Sequence, residues 1–211
     1  MGHAGMAAAA VRYLRAEGRP VEPLPRPELR CVREDERAPV DAGEFRRVLG
    51  SFASGVTVVT APAADGADAD GAPAGFACQS FSSLSLDPPL VVFMVGRTST
   101  TWPRIARAGV FCVNVLGAGQ QALCRAFAAS GTDKFAGVDH DPAPVSGAPR
   151  LAGALAWIDC TIHAVHTGGD HLIVVGRVNA LGTDGGGDGN ADGDGDEPPP
   201  LLFHRGRFLS D

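Results

Sequence analysis

Several signatures that would settle the chemistry at a glance are missing from this chain. Its 211 residues hold 18 Lys and Arg against 24 Asp and Glu, a formal net charge of −6. It therefore lacks the basic excess that a phosphate backbone or an anionic membrane surface demands, and neither is an expected partner. The five cysteines, Cys31, Cys78, Cys112, Cys124 and Cys160, form no CxxC pair. An odd, scattered set suits reduced thiols, most of them small core residues, better than a disulfide framework. No apolar run approaches the roughly 18 residues of a membrane span. MGHAGMAAAAVRYLR offers four consecutive alanines where a secretory leader needs a longer apolar core. A cytoplasmic protein is the expectation. There is no GxSxG nucleophile elbow and no GxGxxG opening a helix after a strand, which removes the usual hydrolase and Rossmann readings. His163, His166 and His171 with Asp159 and Asp170 are the place to look for a metal, but strand residues three apart face opposite sides unless a bulge intervenes. Cys160 has no second thiol at ligand spacing, so no metal site is expected.

What is present is a globular composition, 45% apolar, in a chain long enough for one domain. Residues 1–43, with EPLPRPELR and VREDER, read as a flexible arm that cannot bury much apolar surface, and 44–211 as the folded domain. Asp41 with Glu44 resembles a capping box for a helix carrying Phe45, Val48, Leu49 and Phe52. Thereafter the pattern is mainly β: strands are expected over 55–61, 75–81, 90–95, 110–116, 154–166, 171–181 and 201–208, with helices over 100–108 and 119–129. Many short strands and few helices point to a closed or partly closed β-barrel, because closure removes exposed edges. The Asp/Gly-rich run at 183–200 reads as a flexible hairpin insertion. Its Asp188, Asn190 and Asp192 match the opening of a calcium loop, but position twelve falls on Pro199.

The stretch GFACQSFSSLSLDPPLV (75–91) carries the most chemical suggestion. Gly75, Ala77, Cys78 and Ser80 are small enough for a flat ring to lie against the backbone, whose amides can pair with a heterocycle's edge. Ser80, Ser82, Ser83 and Ser85 add hydroxyls, and Arg97-Thr-Ser-Thr-Thr101 adds a cation and more hydroxyls before a helix, where phosphate is readily held. A phosphorylated aromatic cofactor answers to that set. Solvent-facing serines and a surface arginine answer to it as well, and the residues taken singly leave both readings open.

Taken in order, FRRVLGSFASGVTVVT (45–60), GFACQSFSSLSLDPPLVVFMV (75–95), FCVNVL (111–116), FAASGTDKFAGV (127–138), GDHLIVVGRV (169–178) and PLLFHRGRF (200–208) resemble the flavin reductase-like family over about residues 44–209. These are the NAD(P)H:flavin oxidoreductase components of two-component flavin monooxygenases. The resemblance implies the FMN-binding split β-barrel, a Greek-key barrel with a few flanking helices, and a homodimer. It implies FMN or FAD as flavin and NADH or NADPH as hydride donor, with reduced flavin diffusing to a partner oxygenase. Carried over by position, Ala77, Cys78, Gln79, Ser80 and Phe81 fall where the family wraps the isoalloxazine and ribityl chain, continued by Ser83 and Leu84. Thr98, Ser99 and Thr100 match the segment approaching the phosphate. Phe127 and Ala128 match a flavin-facing pair, and Lys134 and Phe135 a basic-aromatic pair near the phosphate or adenylate end. Gly169, Asp170 and His171 match the segment that positions nicotinamide, His171 being the residue given that role. The family often has threonine at the position of Ala77 and a smaller polar residue at that of Gln79. Two alternatives stay open: a barrel flavoprotein that keeps its flavin as oxidase or electron carrier, and a non-catalytic flavin-binding protein.

Overall fold

The computed structural model describes residues 40–63, 71–131, 133–183 and 198–209. The expected arm up to residue 39, Cys31 and residues 184–197 of the expected insertion lie outside the described residues. The chain divides between Asp41 and Ala42 into two units, and the account below concerns Ala42–Asp211.

Helix α1, Ala42–Leu49, is followed by β1 (Ser54–Gly55) and β2 (Thr57–Ala61). All five residues of β2 are buried, because the strand is covered on both faces. Its alternation sends Val59 and Ala61 into one apolar cluster and Val58 into another. Next come β3 (Ala74–Cys78), β4 (Ser82–Leu86), β5 (Pro89–Gly96), α2 (Trp102–Ala108) and β6 (Val110–Val115). A 3-10 turn (Ala118–Gln120) leads into α3 (Gln121–Ala128). The chain then forms the short pair β7 (His140–Pro142) and β8 (Pro149–Leu151), the long hairpin β9 (Ala156–Gly168) and β10 (His171–Thr183), and the small hairpin β11 (Leu202–His204) and β12 (Arg207–Phe208).

Seven strands form one antiparallel sheet in the order β3-β2-β6-β9-β10-β5-β4. The sheet curls until β3 and β5 approach each other, so that Ala74 and Cys78, Val91 and Phe93, Phe111, Cys160 and Val174 share one core. Phe93 is its hub, with ring centroids 6.0 Å from Phe76, 6.2 Å from Trp102 and 5.2 Å from Phe111. The seam between β3 and β5 carries no backbone ladder. The Ser80 hydroxyl bridges it instead, donating to Met94 O at 2.9 Å and accepting from Met94 N at 3.0 Å. This is the mainly β architecture expected from the strand pattern, and a curled sheet with an unladdered seam accords with the split barrel that the family resemblance implies.

The second apolar cluster packs Val56, Val58 and Leu116 against Cys124 and Phe127 of α3 and Leu201. A buried amide fastens the β7-β8 arm to it: Asn114 donates to Val58 O at 3.2 Å and Pro149 O at 3.3 Å, and accepts from Leu151 N at 2.8 Å.

Local departures from the expected elements have identifiable causes. The strand expected over 55–61 is broken into β1 and β2 at Val56, whose N–H bonds Leu201 O rather than the sheet. The strand expected over 201–208 is a hairpin, because Arg205 and Gly206 both take positive φ, 49° and 79°. Strand β4 had no expectation of its own. It is a serine-rich edge strand in which Leu84 is extruded as a bulge, 52% exposed. On β9 the ladder also shifts at His163, so the bulge that a histidine pair would have needed exists. Even so, no three His, Cys, Asp or Glu side chains gather among the described residues.

Candidate flavin site

A cleft of about 850 Å³ opens at the barrel seam. One wall is β3 from Phe76 to Cys78 with Gln79 and Ser80 following; Met94 to Gly96 of β5 faces it. β3 has β2 as its one ladder partner among the described residues, so its other edge offers backbone N–H and C=O groups to a ligand. A third wall is one face of α3: Gln121, Cys124, Arg125 and Ala128, at helical spacing. The β11-β12 hairpin closes the site with Phe203, Gly206, Arg207 and Phe208. Arg125 lies over the Phe208 ring, 5.5 Å from its centroid, which holds the guanidinium at the cleft.

His171 enters from the start of β10. The preceding Gly169-Asp170 loop joins β9 to β10 in two residues, since His171 pairs with Gly168. Gly169 supplies the left-handed φ, 68°, that such a loop requires. Asp170 O accepts from Arg97 N at 3.0 Å, docking the loop on the end of β5. Asp170 Oδ1 is 2.8 Å from His171 Nδ1. That hydrogen bond, the histidine's charge and a smaller influence from Arg46 hold the Asp170 carboxyl below the usual aspartate range. The imidazole lies beside Gly96, where a β-carbon would be 4.0 Å from His171 Nε2, an ordinary contact.

A second cleft, about 360 Å³, shares β3 with the first and is lined by Gly75, Thr100, Thr101, Arg104, Lys134 and Phe135. The Lys134 ammonium donates to Gly75 O at 3.2 Å and Phe127 O at 3.0 Å, leaving one of its three N–H groups for a ligand. Partial burial lowers its pKa from the ordinary lysine value.

Of the residues singled out from the sequence, Ala77, Cys78, Gln79, Ser80, Ser99, Ala128 and His171 line the main cleft, and Thr100, Lys134 and Phe135 the second. Phe127 is fully buried behind the wall, and Phe81 packs on the barrel core. Ser83 and Leu84 are exposed on β4 and line neither cleft. Thr98, Gly169 and Asp170 stand beside the clefts rather than in their walls. Ser99 has a structural task as well, its hydroxyl accepting from Trp102 N at 3.2 Å at the start of α2. Sequence reading passed over Arg125, Arg207 and Met94. The spacing of Gln121, Cys124, Arg125 and Ala128 is the signal that could have found the first.

Comparisons with known proteins identify the family. The model described as "Flavin reductase like domain" matches residues 49–210. The chain belongs to the flavin reductase-like family. Among curated members it is 46% identical over 169 residues to the reductase subunit HsaB of a flavin-dependent monooxygenase from Rhodococcus jostii, covering 80% of this chain and 77% of that one. Among solved members it is similar to the nitrilotriacetate monooxygenase component B homolog of Mycobacterium thermoresistibile, with 44% identity and TM-score 0.68, covering 79% and 84% of the two chains. It is also similar to the Streptomyces globisporus NADH:FAD oxidoreductase SgcE6, seen in complex with NAD and FAD fragments, with 37% identity, TM-score 0.68 and coverage of 81% and 93%. The family assignment makes the chain an oxidoreductase that uses flavin and a reduced nicotinamide. The cleft residues fit such a ligand pair: the volume suits a planar ring system, β3 offers a free edge, and cations stand at two sides. Among the described residues no helix is long and apolar enough to cross a membrane.

Proposed function

We propose that the protein is the reductase component of a two-component flavin monooxygenase, taking hydride from NADH or NADPH and delivering reduced FMN or FAD to a separate oxygenase. The observation that carries this is the seam cleft, in which the free edge of β3 and the His171 loop face a common space. A flavin held there would supply a hydride acceptor for the reduced nicotinamide, chemistry that needs no nucleophile from the protein.

The chain's own residues supply geometry. Ala77 and Cys78 let the ring lie close to the β3 backbone, and Gln79 stands at the exposed end of that wall. Thr100, Thr101, Arg104 and the remaining N–H of Lys134 form the anion-holding group of the second cleft, which suits the flavin's phosphate. His171, oriented by Asp170, stands where the nicotinamide enters and fixes its approach. Holding two rings in a near-attack arrangement contributes several kcal/mol to the barrier reduction. Much of the main cleft wall is half-exposed, which suits a flavin that must leave after reduction.

A homodimer belongs to the same proposal. Phe45, Val48 and Leu49 of α1 and Phe52 beyond it are 55%, 52%, 55% and 81% exposed, an apolar face that a second copy would cover. Light scattering on the purified protein reads that state. NADH and NADPH oxidation, each with riboflavin, FMN and FAD added in turn, tests the activity. The expected result is saturation in added flavin. Turnover independent of added flavin would instead identify a protein that retains its flavin, and binding without oxidation a carrier.

A further inference from the structure

A third cleft, about 540 Å³, adjoins the main one through Gly206, which lines both. Its walls are Arg46, Arg47 and Gly50 of the α1 end, Ser51, and Arg205 with Gly206 of the β11-β12 turn. Arg47 is drawn toward Glu44, 3.7 Å away on the exposed helix surface. Among the described residues Arg205 has no carboxylate partner; its side chain touches the Ser51 hydroxyl at 3.4 Å, and its backbone N–H donates to Gly50 O at 2.9 Å.

Arg205 also sits in an unfavourable backbone position. It is the one non-glycine with positive φ among the described residues, 49°, and with Gly206 at 79° it forms a two-residue hairpin loop. With both central residues in the left-handed region the loop is of type I′, where Asn or Gly is preferred and a long side chain is strained. Strain of this kind persists where a side chain has a task. The Arg46 charge, for its part, reaches the Asp170-His171 loop, since it contributes to holding Asp170 ionised. The arginine cleft is thus electrostatically in reach of the residues that face the nicotinamide.

We infer that Arg46 and Arg205, with the Ser51 hydroxyl, form a binding site for the pyrophosphate of the nicotinamide donor, outside the cleft that holds the rings. The inference rests on the proposed reductase function, since that reading places nicotinamide at His171. Guanidinium groups pair with phosphate oxygens in planar, bidentate fashion, and the exposed setting makes the contact fast and sensitive to salt. FAD carries the same pyrophosphate chemistry, so the test must separate donor from flavin.

The experiment compares unaltered protein with Arg46→Gln combined with Arg205→Asn. Asn relieves the turn, so the variant should melt no lower than the original apart from the small effect of the helix substitution. The KM for NADH should rise about tenfold at low salt, the size of two exposed charge contacts, and lose most of its dependence on ionic strength. The KM values for riboflavin, FMN and FAD should stay within about twofold. Unchanged NADH KM and salt dependence would overturn the assignment. A rise confined to FAD would overturn it too, giving the site to the flavin. Should the unaltered protein oxidise no nicotinamide with any flavin, the reductase proposal itself fails. Calorimetry with inorganic pyrophosphate still reads the site: binding lost in the double variant supports it, and equal binding in both proteins refutes it.

Discussion

Replacing Gly75 with Ala strikes β3, the strand shared by the walls of the first two clefts. A β-carbon at Gly75 would lie 2.6 Å from Phe127 Cε1, 3.0 Å from its Cδ1 and 3.3 Å from Phe135 Cζ. Neither ring can step aside without consequence. Phe127 is fully buried in the second apolar cluster and meets Phe135 edge-on at 5.0 Å and 86°. The backbones cannot part easily either, because the Lys134 ammonium ties Gly75 O to Phe127 O. Overpacking of this kind costs about 1–3 kcal/mol, and with one ring at 2.6 Å a value of about 2 kcal/mol is expected. For a domain of this size that lowers Tm by about 4–8 °C. Urea and thermal denaturation measure it, with FMN KM as a second readout that should rise because α3 carries the displaced ring and one wall of the cleft. The decisive control is a cycle with Phe127→Leu, which removes the offending ring edge. The double variant should be more stable than the sum of the two single effects allows, by about 1–2 kcal/mol. If Gly75→Ala is tolerated within about 0.5 kcal/mol, or its cost simply adds to that of Phe127→Leu, the close approach at this wall is refuted.

Four other outcomes follow from particular contacts. Ser80→Ala removes both side-chain bonds across the seam and should cost about 1–2 kcal/mol in urea denaturation, discounted for the solvent at that edge; a purely flavin-contacting hydroxyl would change flavin KM with no loss of stability. Asn114→Ala strands the buried Leu151 N–H and opens a cavity, so a loss of about 3 kcal/mol is expected, and limited proteolysis should then find the β7-β8 arm. Burial, reinforced by Asp159, raises the Cys112 thiol from 9.0 to about 12, so the stability it contributes is complete below about pH 9 and is lost as pH rises toward about 12. Native protein at pH 8 should accordingly leave Cys112 unalkylated by iodoacetamide, and labelling as fast as in urea would contradict its burial. His171→Ala should raise the KM for NADH more than that for flavin, and unchanged nicotinamide kinetics would remove His171 from the donor site.

Much of the fold could be read along the chain because its signals are local. Apolar runs such as VTVVT and LVVFMV read as strands whatever they pack against, and the Gly169-Asp170 pair marks a tight hairpin loop. The edge strand β4 escaped notice because Ser82-Ser-Leu-Ser-Leu86 is short and serine-rich, and its two alternating leucines are exposed rather than turned to a core. For the site, a motif identified the strand that forms its wall, while side-chain allocation needed the packed molecule. Seven of the residues expected at a flavin converge on the main cleft; Ser83 and Leu84 do not, because the chain bends at Gln79 and β4 then pairs along the edge of β5.

By itself, then, the sequence determined the strand-rich class, the family and the segment that walls the main cleft. Those follow from backbone periodicity and from small residues in a fixed order, and both are properties of neighbours in the chain. Tertiary structure alone decided which polar groups are free. The Ser80 hydroxyl is committed to Met94, fourteen residues away, and Lys134 has given two of its three N–H groups to Gly75 and Phe127. It also decided that Arg46 and Arg205, from opposite ends of the domain, face one cleft. Hydrogen-bonding capacity is spent locally in space, and only the folded chain determines who is near enough to use it.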